Sequence, residues 1–127
     1  MLKHAQDAKT KFSGENIKKK DKCIFTIIRN EPVLLKIWLK NHKKLFDNIY
    51  VLFHQSASDL EESLCKQYGA TYFNVHNDES YCWIWLTDTA NKFASFLLNS
   101  YELIAYSDVD EIIVDPKNLL RYPKLFP

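Results

Sequence analysis

The chain is expected to fold as an α/β domain on a mostly parallel sheet with flanking helices, and three features of the sequence carry that expectation. Four short apolar runs rich in β-branched or aromatic residues recur at residues 23–28, 49–53, 71–75 and 103–106. Between successive runs lies a segment long enough for a helix, with apolar residues three and four apart. Crossovers of that length return the chain to the same end of the sheet, so the repeated order of strand and helix implies parallel pairing.

The first run, Cys23-Ile24-Phe25-Thr26-Ile27-Ile28, reads as a strand buried on both faces. Arg29, Asn30 and Glu31 end it, and Pro32 suits the first turn of a helix, where its missing N–H is not needed. Val33, Leu34, Ile37, Trp38 and Leu45 recur at helical spacing and are expected to dock that helix on the sheet, with Lys36, Lys40, Lys43 and Lys44 opposite. Asp47-Asn48 turns the chain into the second strand, and the polar residues 54–59 form the loop after it. Asp59 with Glu62 three residues on resembles a capping box, Leu60, Leu64 and Tyr68 share a helical face, and Gly69 suits a left-handed C-cap. After the third strand, Trp83, Leu86, Ala90, Phe93 and Leu97 mark a long amphipathic helix over residues 83–99. The fourth strand runs directly into Ser107-Asp108-Val109-Asp110-Glu111.

Composition narrows the function. At 127 residues, 46% hydrophobic and 26% charged, the chain has material for one globular domain. Its net charge of +1 supplies no cationic field, so nucleic acid is not an expected partner. The two glycines, Gly14 and Gly69, lie too far apart for a phosphate-binding loop, a dinucleotide-binding turn or a nucleophile elbow. Cys23, Cys65 and Cys82 form no CxxC pair, which argues against a zinc site and for thiols in a reducing compartment. No apolar run is long enough to span a membrane and no secretory h-region is evident, so a cytoplasmic location is expected. Residues 1–22 carry seven lysines and few bulky apolar residues; they are expected to form a flexible tail, with peripheral attraction to anionic membrane or to a partner as the sharper alternative. Residues 23–127 then form the folded domain.

In parallel α/β sheets ligands bind at the carboxyl ends of the strands, where the loops 29–31, 54–59 and 108–111 are expected to converge. Asp108 and Asp110 are two apart at the end of a strand, so period-2 geometry could turn both toward one side. Two adjacent anions repel, and a divalent cation relieves that repulsion. One or two carboxylates are the usual protein share of a Mg²⁺ or Mn²⁺ whose other ligands are water and phosphate oxygens. The alternative is an ordinary pair of surface carboxylates. His4, His42, His54 and His76 show no i, i+4 zinc spacing and are expected to be structural or exposed, although His54 and His76 could approach one another at strand ends. Trp83 and Trp85 suit core packing or helix entry, or else stacking on a sugar or base.

Three stretches together resemble the GT-A-fold glycosyltransferases of the family-2-like kind, including the related family-92 type. These are Ile27-Ile28-Arg29-Asn30-Glu31 with Leu34, Trp38 and Leu39; residues 49–59; and Tyr106-Ser107-Asp108-Val109-Asp110-Glu111-Ile112-Ile113-Val114, continued by Pro116. The resemblance covers residues 23–127 and implies a Rossmann-like nucleotide-diphospho-sugar transferase half. It further implies transfer of a sugar from a nucleotide-activated donor to a glycan, lipid or protein acceptor. Asp108 and Asp110 would hold Mn²⁺ or Mg²⁺ against the diphosphate, with Asp110 the more direct ligand. Arg29, Asn30 and Glu31 would face the base and ribose, with Asp59 and Asp108 completing the donor contacts; turn and helix-start chemistry is the plainer role of the first three.

Two departures accompany the resemblance. The loop after the second strand reads His54-Gln55-Ser56-Ala57-Ser58-Asp59 where the family pattern resembles Asp-Asn-x-Ser-x-Asp, so only Asp59 matches, and Asp59 also suits a helix N-cap. The resemblance also implies an acceptor half with a carboxylate base after the acidic motif. Here only residues 112–127 follow, and Asp115 beside Pro116 reads as a turn. The chain is therefore expected to be a fragment or a reduced relative needing a partner subunit that supplies an acceptor half. Two other readings remain: a non-catalytic nucleotide-sugar-binding or assembly module, and a haloacid-dehalogenase-like phosphatase with Asp108 as nucleophile. The latter motif usually opens a chain and continues with Thr, whereas Glu111 and Ile112 follow here.

Overall fold

The computed structural model describes residues 19–76 and 80–113. Most of the lysine-rich tail, and Asp115 and Pro116, lie outside the described residues. A short 3-10 turn, Lys19–Asp21, leads into β1 (Lys22–Ile28), followed by α1 (Pro32–His42), β2 (Asn48–His54), α2 (Asp59–Gln67), β3 (Thr71–Val75), α3 (Trp83–Leu97) and β4 (Leu103–Tyr106). All pairings are parallel, in the order β3-β2-β1-β4. The expected α/β class is therefore observed, as a Rossmann-like half-domain.

Every residue of β1 is buried, because helices cover both faces of the central strand. Ile24 and Ile28 join Leu35, Trp38, Leu39, Val51, Leu64 and Cys65 under α1 and α2. Cys23, Phe25 and Ile27 point the other way, to Trp85, Ala90, Ala94 and Leu97 of α3. This division follows from the chirality of crossovers. Moving from β1 through β2 to β3 places α1 and α2 on one face; reversing past β1 to reach β4 places α3 on the other.

Three local expectations are corrected. The docking stripe of α1 is Leu35, Trp38, Leu39 and His42, while Val33 and Ile37 are exposed at 73% and 48%. Apolar residues at 33, 34, 35, 37, 38 and 39 allow two adjoining stripes that share Trp38, and the observed one turns Leu35 and Leu39 inward beside the indole in place of Val33 and Ile37. The cap of α2 is Ser58, not Asp59: the Ser58 hydroxyl accepts from the Glu61 N–H, and the Glu61 carboxylate accepts from the Ser58 N–H at 2.9 Å. Leu60 is consequently exposed, and Glu61, Leu64 and Cys65 are the buried residues of the helix. In α3 the buried face runs through Trp85, Ala90, Ala94 and Leu97, with Trp83 in solvent. Gly69 ends α2 at φ +68, as its C-cap position requires.

Cys23 and Cys65 are buried and Cys82 is exposed. Burial pushes the Cys65 thiol up to about 12, and the nearby Glu61 and Glu62 act in the same direction. No helix among the described residues is long and apolar enough to cross a membrane.

Thr26 lies fully buried in β1, and its hydroxyl makes no hydrogen bond. An unsatisfied buried hydroxyl costs about 1–3 kcal/mol, whereas a methyl of the same shape costs nothing of that kind. Thr26→Val is expected to raise the urea midpoint, corresponding to about 1 kcal/mol, with the slope unchanged; a lowered midpoint contradicts this packing.

Candidate functional site

The strand order reverses between β1 and β4, since β1 leads away to β2 while β4 returns on its other side. Such a switch point opens a crevice at the carboxyl ends of the two strands. Arg29, Asn30 and Glu31 leave β1 there, and residues 108–111 leave β4 beside them.

Each rim is built differently. Arg29, Asn30 and Glu31 are exposed. Asn30 has φ 52, a left-handed conformation that asparagine tolerates better than most residues. Gln55, just past β2, has φ 73, so two non-glycine residues at adjoining strand ends adopt sparsely populated backbone. The Glu31 N–H donates to Glu61 at 3.1 Å. Glu61, 1% exposed, thus ties the loop after β1 to the cap of α2 with one carboxylate. Asp59 stands exposed in the first turn of α2, where the helix dipole favours a carboxylate.

After β4 the chain does not continue as a strand. Residues 108–111 form a turn closed by the Glu111 N–H on the Asp108 carbonyl at 2.8 Å. The Asp108 N–H donates to the Glu111 carboxylate at 3.1 Å. Period-2 alternation therefore does not govern Asp108 and Asp110; they are the first and third residues of a turn, both exposed. One Asp108 oxygen accepts from the Tyr106 hydroxyl at 2.6 Å. Burial first, then that hydrogen bond and the charge of Asp108, hold the Tyr106 hydroxyl protonated far above the usual tyrosine range.

Tyr81 lies against the end of β1, and the sequence analysis did not single it out. Its hydroxyl donates to the Ile27 carbonyl near the end of β1 at 3.1 Å, and its ring packs against His54 and Trp85. Its hydroxyl is raised by burial and then by the charges of Glu31 and Asp108. His54 is buried beneath Tyr81 with its ring 4.7 Å from that of Trp85, while His76 is exposed.

The acidic turn is held from below by α1. The Trp38 indole N–H points to the Ser107 hydroxyl at 3.4 Å, and Ser107 donates to the Glu111 carbonyl at 2.5 Å. The Ile113 N–H donates to Nε2 of His42 at 3.0 Å. Val109, Ile112 and Ile113 pack on the core beneath α1.

A groove of about 560 Å³ lies elsewhere, between β3 and α3, lined mainly by Leu52, Phe73, Val75, Trp85, Phe93 and Phe96. It contains none of the predicted metal or donor-contact residues, although Trp85, weighed above for stacking on a sugar or base, lines it. Asp108 and Asp110 offer carboxylate oxygen, the donor type that a hard divalent cation takes. Among the described residues no group of three or more His, Cys, Asp or Glu is arranged to hold a metal ion.

No family model matches the chain. The chain is 24% identical over 99 residues to a glycosyltransferase family 92 protein of Oryza sativa subsp. japonica. That likeness supports a glycosyltransferase relationship. The matched stretch covers 76% of this chain and 16% of the rice glycosyltransferase, so the chain spans a small part of that protein's length.

Burial lowers the His42 pKa to about 4, opposed in part by its bond to the Trp38 carbonyl. The imidazole is therefore neutral when folded and takes up a proton on unfolding below about pH 6.5. The resulting stability is complete above that pH and is lost as the pH falls through about 4. Between pH 7 and 4.5 the loss from this group is about 2 kcal/mol. Urea denaturation of the wild type is expected to show that excess loss over His42→Gln, whose side chain does not titrate; equal losses contradict it.

Proposed function

We propose that the chain is the donor-binding half of a glycosyltransferase, which takes a nucleotide-diphosphate sugar at the switch point between β1 and β4. The observation that carries this reading is the acidic turn at the end of β4, which lies beside β1, the strand that ends in Arg29, Asn30 and Glu31, where the strand order reverses. The distant likeness to a glycosyltransferase supports the glycosyltransferase part of this reading.

In this reading Asp108 and Asp110 hold Mn²⁺ or Mg²⁺, with Asp110 the more direct ligand, since one Asp108 oxygen is engaged by Tyr106. The bound cation supplies Lewis-acid stabilisation of charge building on the leaving nucleoside diphosphate. Arg29, Asn30 and Glu31 contact base and ribose, and Asp59 lies at the start of α2 as a further polar contact. The Glu61 bond to the Glu31 N–H keeps that loop in place before ligand arrives. The acceptor is a glycan, lipid or protein, and an acceptor half on a partner subunit completes the reaction.

Thermal unfolding with Mn²⁺ and UDP, then with Mn²⁺ and GDP, tests the proposal. A nucleotide at 100 times its Kd is expected to stabilise the fold by about 2.7 kcal/mol, and Asp110→Ala is expected to abolish the metal-dependent part. No shift with either nucleotide overturns the donor site. Binding without sugar transfer to any acceptor marks a nucleotide-sugar-binding module, and hydrolysis of p-nitrophenyl phosphate lost in Asp108→Ala marks a phosphatase.

A further inference from the structure

We infer that His42 is a positioning residue for the acidic turn: from the last turn of α1 it fixes where Asp108 and Asp110 stand, without touching a ligand itself. The consequence for metal binding rests on the proposed donor site; the positional claim does not.

The hydrogen bonds set the tautomer. Nδ1 of His42 lies 3.0 Å from the Trp38 carbonyl. A carbonyl oxygen only accepts, so Nδ1 carries the proton and Nε2 presents a lone pair. That lone pair receives the Ile113 N–H, from a residue 71 positions further along the chain. The helix backbone thus dictates which nitrogen can anchor the segment after the turn. The ring has little freedom to swing, being fully buried with its centroid 4.6 Å from Trp38 and 6.4 Å from Phe46.

Trp38, one helical turn earlier, provides the second anchor. Its indole reaches Ser107, immediately before the turn, and Ser107 reaches the Glu111 carbonyl. His42 and Trp38 therefore grip residues 108–111 from both ends. The bonds between Asp108 and Glu111 close the turn internally. Without the outer anchors these short-range bonds leave the turn free to pivot on Tyr106. A purely apolar residue at position 42 would fill the core equally well but leave the Ile113 N–H without its acceptor.

Two neutral variants separate positioning from packing. In His42→Asn the amide reaches the Trp38 carbonyl but not Ile113, whereas in His42→Gln its oxygen reaches the place of Nε2. The readouts are backbone amide exchange at Glu111 and Ile113, Mn²⁺ affinity with the metal alone, and melting temperature. Wild type and His42→Gln are expected to protect both amides. His42→Asn is expected to lose that protection and to bind Mn²⁺ about tenfold more weakly than His42→Gln, within the range seen when groups behind metal ligands are removed, at a similar melting temperature. Equal loss of affinity in both variants, in step with stability, overturns the inference, as does wild-type affinity in His42→Asn. If the wild type binds no Mn²⁺, the proposed metal site fails. The positional claim is then decided by exchange alone: loss at Glu111 only in His42→Asn supports it, and unchanged protection overturns it. If His42→Asn does not fold, the imidazole ¹⁵N shifts of the wild type decide. Protonated Nδ1 with bare Nε2 supports the inference, and the reverse tautomer overturns it.

Discussion

Complete burial of β1 is the constraint from which the arrangement follows. A central parallel strand with no residue in water must be covered on both faces, and right-handed crossovers supply that cover only if the chain reverses direction along the sheet. The reversal falls between β1 and β4. The polar loops that terminate these two strands therefore meet, while apolar residues occupy the interior on either side. Position of the site and stability of the fold have one origin.

Within that frame, the acidic turn is exposed on its upper side and held on its lower side. Its carboxylates face water, whereas Ser107 beneath them is buried and Val109, Ile112 and Ile113 pack on the core. Anchoring through a helix that also packs on β1 would lower the conformational cost of binding the proposed ligand there. The loop after β1 has a comparable arrangement, since buried Glu61 receives its backbone while Arg29 and Asn30 remain exposed. Two neighbouring loops, each secured by a buried polar group, hold exposed polar side chains at the ends of β1 and β4.

The four strands were legible because each is an apolar run, β-branched or aromatic, bounded by turn residues, and their parallel pairing followed from the helices between them. The helix phases were less legible. Six apolar residues among positions 33–39 permit two stripes, and Ser58-Asp59-Leu60-Glu61-Glu62 contains two overlapping capping patterns offset by one residue. Packing and hydrogen bonds choose between them, and neither choice is encoded in local spacing. Asp108 and Asp110 could be picked out from their place at a strand end, but their turn geometry depends on Glu111 and Ser107. Tyr81 and Glu61 escaped notice, and His42 was read only as structural or exposed, for the same reason: their partners lie 54, 30 and 71 residues away. A histidine in the polar run Asn41-His42-Lys43, or a tyrosine just after Glu79 and Ser80, gives no sequence signal of a contact made at that distance.

The account depends on the acidic turn being the place where a cation and a diphosphate meet. A crystal grown with Mn²⁺ and UDP, with diffraction recorded at a wavelength where manganese scatters anomalously, examines that directly. The account predicts an anomalous peak between the Asp110 carboxylate and the diphosphate, with the uracil over the loop that follows β1. A turn without a peak, or nucleotide and metal bound in the apolar groove between β3 and α3, contradicts it.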